Sequence, residues 1–315
     1  MDGYHPPEYK AYYISERKKN MYKKELYEKV IKENNPREVD LNDWIEFGGG
    51  FMGRSFYNKN DDSIMMKIYN EFVDPIMIAR ENKVAKAVKD MGIPTPEPGD
   101  LVRCDKLLGV TFKTVKNKKS MARAISENPE KVEEHAINFA KAAKYLHSIK
   151  GDGNIFPDVK DYFREQLKVN DYLNNDQKNK ITKLLDSIED RKTCLHGDLS
   201  PGNIIYNEKG EIMFIDLSDF MYGNPMFDIG TTYLACVDTI DEAAKNIFHC
   251  SHDLLYKFWK KFIREYFGVS TDKEIEEIER EASTYLGIKF IFFINQEGIN
   301  PFLEEKINKL LLSKL

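Results

Sequence analysis

Four polar side chains, His196, Asp198, Asn203 and Asp216, crowd one short stretch, CLHGDLSPGNIIYNEKGEIMFIDLSD, from Cys194 to Asp219. Two apolar runs, 203–206 and 212–215, flank a polar turn at 207–210, the pattern of an antiparallel hairpin. Pairing those runs brings Asn203 and Asp216 to the same open end. An amide oxygen and a carboxylate are hard donors, suited to Mg²⁺ rather than zinc. Asp198 stands on the preceding loop, placed to accept the proton of a hydroxyl.

Further upstream, Gly48, Gly50 and Gly53 fit G-x-G-x-x-G within GGGFMG. A dinucleotide site needs a helix directly after the glycines, and a Walker loop needs Gly-Lys-Ser/Thr. A second strand follows instead. A glycine loop between antiparallel strands suits a flap whose backbone N–H groups close on nucleotide phosphates. Lys67 sits in MMKIY, an apolar strand where an unpaired ammonium is costly. Phosphates and a carboxylate would partner it, and Glu81 on the next helix is the candidate carboxylate.

Asp-x4-Asn followed by a strand pair and a second Asp is the arrangement of protein-kinase catalytic and magnesium loops. Here HGD stands for HRD, Asp216-Leu217-Ser218 for Asp-Phe-Gly, and no Ala-Pro-Glu segment occurs. HGDLSPGNII, IDLSD and GNPMFDIG together resemble the aminoglycoside phosphotransferase and choline kinase family of small-molecule kinases, over 44–233. The resemblance implies an α+β, protein-kinase-like bilobal fold and transfer of phosphoryl from ATP, with GTP the alternative, to a small-molecule hydroxyl. It implies Asp198 as catalytic base, and Asn203 and Asp216 as holders of Mg²⁺. Lys67 would contact the α- and β-phosphates and pair with Glu81. Backbone around Phe112, Lys113 and Val115 would bind the base. His196 would brace the catalytic loop, and Asp228 in PMFDIG would tie it down.

The elements that must position these groups fall into three parts. Residues 1–40 read as a helical extension, with a helix over 15–32 and a thin apolar stripe of Met21, Leu26, Val30 and Ile31. Residues 41–115 read as a nucleotide-binding lobe, a small antiparallel sheet plus one helix. Strands are expected at 44–47, 55–57, 64–69, 99–104 and 107–115, with the helix over 75–91. Residues 116–315 read as a larger helical lobe carrying the hairpin and the acceptor site, with helices over 129–147, 158–170, 176–189 and from 225 onward.

Composition excludes other classes. A net charge of −5 gives no basic excess to meet nucleic acid. No run reaches the roughly 18 apolar residues of a membrane span. Four cysteines without CxxC spacing suggest free thiols in a reducing, cytoplasmic setting, in a monomer or homodimer. A metal-dependent hydrolase with His196 and Asp198 as ligands, helped by His249 and His252 on one helix face, is a rival reading. A nucleotide-binding pseudokinase or scaffold predicts loss of Lys67, Asp198 or Asp216, yet all three are present. A protein kinase lacks room for a peptide platform between HGD and PMFDIG. For the acceptor, Asp238, Asp241, Glu242 and Asp253 could attract an amino sugar, although a solvated surface is the commoner role of such acids. Tyr256, Trp259, Phe262, Tyr266 and Phe267 suit a choline-like cation, though their helical spacing also fits core. A sugar or amino alcohol is favoured over an aminoglycoside, which wants a dense acidic cluster.

Overall fold

A computed structural model describes residues 16–50 and 52–315. Ser15, the expected helix start, and Phe51 of the glycine loop lie outside the described residues, as does the side chain of Met21. Helix α1 (Glu16–Asn34) ends where Asn35 turns left-handed ahead of Pro36.

A six-stranded sheet follows: β1 (Arg37–Glu38), β2 (Trp44–Gly50), β3 (Gly53–Asn58), β4 (Ile64–Tyr69), β5 (Pro98–Cys104) and β6 (Leu107–Lys113). Its order is β1-β5-β6-β4-β3-β2, and only the β1–β5 pair is parallel. β1 lies ahead of residue 41, and α1 packs on α2 (Pro75–Asp90) through Val30, Tyr27 and Ile31. The segment expected as an extension is thus built into the sheet and its core. Asp74 caps α2, its Oδ1 accepting from Ile76 N at 2.8 Å, and Pro75 fills the first turn, where a missing donor costs nothing.

Period-two alternation sorts the side chains of β4. Met66 and Ile68 are buried with Trp44, Phe56 and Val102. Tyr69 is buried on the opposite face, with Val73 and Ile78. Lys67 shares that second face, which turns toward the helical part.

The helical part opens with β7 (Lys119–Ser120), α3 (Met121–Glu127), α4 (Val132–Ser148), α5 (Val159–Val169) and α6 (Asn175–Ser187). β8 (Thr193–Leu195) pairs antiparallel with β11 (Met221–Gly223). Between them in the chain stands the hairpin of β9 (Ile204–Tyr206) and β10 (Ile212–Phe214). Helices α7 (Met226–Tyr233), α8 (Asp241–Phe248), α9 (His252–Phe267), α10 (Asp272–Glu297) and α11 (Pro301–Leu310) complete the chain. α4 packs on α9 through Phe139, Phe258 and Phe262, and α10 packs on α5, α7 and α11. No helix among the described residues is long and apolar enough to cross a membrane.

Candidate active site

The β8–β11 pair pins both ends of the polar stretch, and Asp228 pins the turn just after β8. From the first turn of α7, Asp228 accepts from the backbone N–H groups of His196 and Gly197, at 2.8 Å each. Its Oδ2 also lies 3.0 Å from His147 Nε2. His196 is fully buried and turns inward: Nε2 lies 3.0 Å from the Ile215 carbonyl, and Nδ1 faces the Asp198 N–H at 3.3 Å. The loop is therefore tied to β10 through one imidazole. With both ring nitrogens engaged, His196 offers no lone pair to a metal, which removes the ligand set of a hydrolase. His249 and His252 do not share a helix face either, because His249 ends α8 in the left-handed region and His252 begins α9.

Glycine at 197 is demanded by space. Its φ is +80°, and a Cβ there would lie 2.0 Å from the Asp219 carbonyl oxygen. The arginine of HRD has no room beside the turn at 217–219.

The hairpin register sets Ile212 against Tyr206 and Phe214 against Ile204. Ile215 N then donates to Asn203 O at 3.0 Å, and Asp216 follows at the open end. Asn203 Nδ2 donates to Asp198 O at 2.8 Å and Asp198 Oδ2 at 2.9 Å. Spending its amide nitrogen this way leaves Asn203 an oxygen donor. Asp216 is exposed and holds a left-handed φ of +61°. A carboxylate and an amide oxygen fit Mg²⁺, which characteristically takes one or two protein oxygens and completes its shell with water and phosphate. Among the described residues no group of three His, Cys, Asp or Glu could hold a metal unaided, so a cation here needs such outside oxygens.

Lys67 Nζ lies 3.7 Å from Glu81 Oε1 and 3.6 Å from Asp216 Oδ1. Three elements, β4, α2 and the end of β10, thus meet at one ammonium. Tyr69 hydroxyl donates to the other Glu81 oxygen, and its ring lies 4.6 Å below Lys67 Nζ. Burial pushes the Glu81 carboxyl up, against the opposing pull of Lys67.

A cleft lined by Lys67, Glu81, Asp216, Phe112, Val115 and Lys118 lies between sheet and hairpin. Lys113 is not part of it. Its N–H donates to Glu97 O at 2.8 Å, and its side chain points out, as strand alternation beside Phe112 requires. Lys118 was not anticipated. Its Nζ lies 5.7 Å from the Phe47 ring, and burial lowers its pKa. The glycines divide by role. Gly48 faces open space, and Gly50 pairs with Gly53 at the tip of the β2–β3 hairpin. Gly53 serves packing, since a Cβ there would strike Ile68 O at 2.2 Å.

On the far side of Asp198 lies a narrow slot walled by Tyr162, Phe163, Phe227, Tyr285 and Phe292. Lys289 of α10 enters it, donating to Gly197 O at 2.7 Å and lying 3.4 Å from Asp198 Oδ1. Burial alone would raise the Asp198 carboxyl. The Lys289 ammonium, His196 and the Asn203 amide hold it below the ordinary carboxylate value. Asp219, beside it, is pushed up by burial. The acids and aromatics weighed for the acceptor do not line this slot. Asp238 is paired with Lys306 at 2.7 Å and Asp241 with Lys245 at 2.5 Å, while Trp259 and Phe262 are core. Lys289 carried one signal in the sequence, a lone charge inside TYLGIKFIFFI, the same anomaly that marks Lys67.

The model of the Phosphotransferase enzyme family (APH) matches residues 43–252, two thirds of the chain. The chain belongs to that family. No curated protein matches it in sequence. The phosphotransferase is similar in fold to solved small-molecule kinases. An ADP-bound aminoglycoside phosphotransferase, APH(2'')-Ib, shares 19% identity with a TM-score of 0.54, covering 91% of this chain and 96% of that one. A choline/ethanolamine kinase family protein from Mesorhizobium loti shares 12% identity with a TM-score of 0.51, covering 86% of each chain. The amicoumacin kinase hAmiN, solved with AMP-PNP, Ca²⁺ and Ami, shares 14% identity with a TM-score of 0.54, covering 94% of each. The phosphotransferase shares their order of parts, a sheet-rich N-terminal region followed by a helical one.

Proposed function

We propose that this phosphotransferase moves the γ-phosphoryl group of ATP, or of GTP as the alternative, to a hydroxyl of a small molecule, with Mg²⁺. The observation that carries the reading is the meeting of Lys67, Glu81 and Asp216 at one cleft, with Asp198 tied to Asn203 beyond it. Nucleotide-bound relatives in the same fold support a nucleotide in that cleft.

In this reading Asn203 and Asp216 hold Mg²⁺ by their oxygens. The bound cation would supply charge neutralisation at the β- and γ-phosphate oxygens. Lys67, oriented by Glu81, faces the α- and β-phosphates. The base lies along the backbone near Phe112 and Val115. At Lys113 the N–H is already taken by Glu97 O, which leaves the rest of its backbone for that contact. Asp198 orients the acceptor hydroxyl and accepts its proton while the hydroxyl oxygen bonds to the γ-phosphorus and the β–γ bridging oxygen departs with the diphosphate. A carboxylate held low in pKa is adequate here, because the hydroxyl loses its proton late in a loose transition state. We assign nucleotide binding to the part before about residue 115 and acceptor binding to the part after it. The acceptor classes compatible with the family are amino sugars, sugars and amino alcohols. Buried, unpaired thiols at all four cysteines support a reducing, cytoplasmic setting.

The test is ADP formation from ATP and Mg²⁺ across a panel of aminoglycosides, choline, ethanolamine, hexoses and homoserine, with Asp198→Ala as control. Acceptor-dependent ADP that vanishes in the variant supports the reading. Absence of both turnover and Mg²⁺-dependent ATP binding would overturn it.

A further inference from the structure

The slot beyond Asp198 narrows the acceptor, an inference that rests on the transfer reading above. Lys289 lies among the buried residues Leu286, Ile288, Phe290 and Ile291, and only 12% of its side chain is exposed. Its Nζ reaches Asp198 Oδ1, while Asn203 holds Oδ2. Both oxygens of the proposed base are therefore engaged. An incoming hydroxyl must approach Oδ1 directly beside an ammonium. Outside the lining, Arg80 of α2 donates to Phe220 O at 3.5 Å, one residue beyond Asp219. Two carboxyls, Asp198 and Asp219, lie beside Lys289, and burial pushes the Asp219 carboxyl up. The remaining wall groups are rings. A ligand cation arriving at the base would thus find Oδ1 already paired with Lys289 and Oδ2 with Asn203.

We propose that Lys289 is a specificity-determining residue, and that the acceptor carries no ammonium beside its reacting hydroxyl: it is a neutral polyol or sugar, or a hydroxy acid. An amino alcohol or amino sugar would set its cation against Lys289, itself mostly buried, and like charges so placed are disfavoured. A carboxylate on the acceptor would instead meet Lys289. This selects by repulsion as much as by attraction.

Matched acceptor sets test the charge rule on the full-length protein. Glucose, glucosamine and gluconate form one set; glycerol, serinol and glycerate a second; 3,3-dimethylbutanol and choline a third. ADP formation is followed with ATP and Mg²⁺ for the wild type, Lys289→Gln and Lys289→Arg. The wild type is expected to favour the uncharged or acidic member by about tenfold or more in kcat/KM. Lys289→Gln should narrow that ratio to within about threefold, while Lys289→Arg keeps it. Preference for the ammonium member, or a ratio equal in all three proteins, would overturn the proposal and leave phosphoryl transfer intact. No turnover of any set by a protein that binds ATP with Mg²⁺ would also overturn it, at the level of acceptor class. Failure to bind ATP would instead sink the transfer reading beneath it.

Discussion

Replacing Gly197 by alanine tests whether the turn at 217–219 really lies against the catalytic loop. The native φ of +80° costs an alanine about 1–2 kcal/mol. The added Cβ would also lie 2.0 Å from the Asp219 oxygen and 2.7 Å from its carbonyl carbon. Both atoms are backbone, so no rotamer change relieves the overlap. Ordinary contact begins near 3.4 Å, so one segment must retreat by more than 1 Å. Overpacking of that kind costs about 1–3 kcal/mol, for a total of about 2–5 kcal/mol. At about 2–3 °C per kcal/mol for a chain of this size, Tm should fall by roughly 4–15 °C. A 1 Å displacement of Asp198 should also cost about 100-fold in kcat. Gly210→Ala is the control. Its φ is +75°, but nothing lies within 4 Å of the new Cβ. It should lose about 1 kcal/mol and no activity. Differential scanning fluorimetry and ADP release read the two effects. Equal behaviour of the two variants would refute the close approach of Gly197 to Asp219.

Four further outcomes are expected. Asp228→Asn replaces an acceptor of two backbone N–H groups with a side chain that must present its own N–H to one of them. It should lose about 3–5 kcal/mol in urea unfolding and most activity. Lys67→Met should weaken ATP binding by about tenfold or more in calorimetry, since it removes the ammonium shared by Glu81 and Asp216. Asp198, held below the ordinary carboxylate value, should keep kcat/KM flat down to about pH 4, with loss only as the base protonates below that. Lys289→Met removes the leading influence that lowers it, leaving burial to raise it. The acid limb should therefore move to higher pH, and a pH–rate profile checks the direction.

The hairpin was legible because its signals are local: alternating apolar runs, a polar turn and polar residues at the open end. Lys67 and Glu81 were legible because a lysine inside MMKIY is an anomaly that only a partner relieves. Lys289 carried the same anomaly, but its partner Asp198 lies 91 residues away, and a long apolar helix masks a single charge. β1, of two exposed charged residues, and the β8–β11 pair, of three residues each, are too short to show a period. Alternation along 107–115 sends the Phe112 side chain into the cleft and that of Lys113 away from it, so only backbone at Lys113 could serve the base. The glycine pattern hid two causes. Gly53 is required by β4 at its back, which spacing alone does not distinguish from a phosphate contact. The lysine partners of Asp238 and Asp241, Lys306 and Lys245, become visible only in the fold.

Direct observation of the transferred group by ³¹P NMR tests the central claim most closely. The protein is mixed with ATP, Mg²⁺ and an accepted acceptor, beside the Asp198→Asn variant at the same nucleotide saturation. The expected result is a phosphomonoester resonance growing as the γ-phosphate of ATP disappears, slowed by about 10²–10⁴-fold in the variant while its ATP affinity stays within about twofold. A phosphomonoester formed equally fast by Asp198→Asn would contradict the assignment of Asp198 as base. Inorganic phosphate as the only product would contradict transfer to an acceptor.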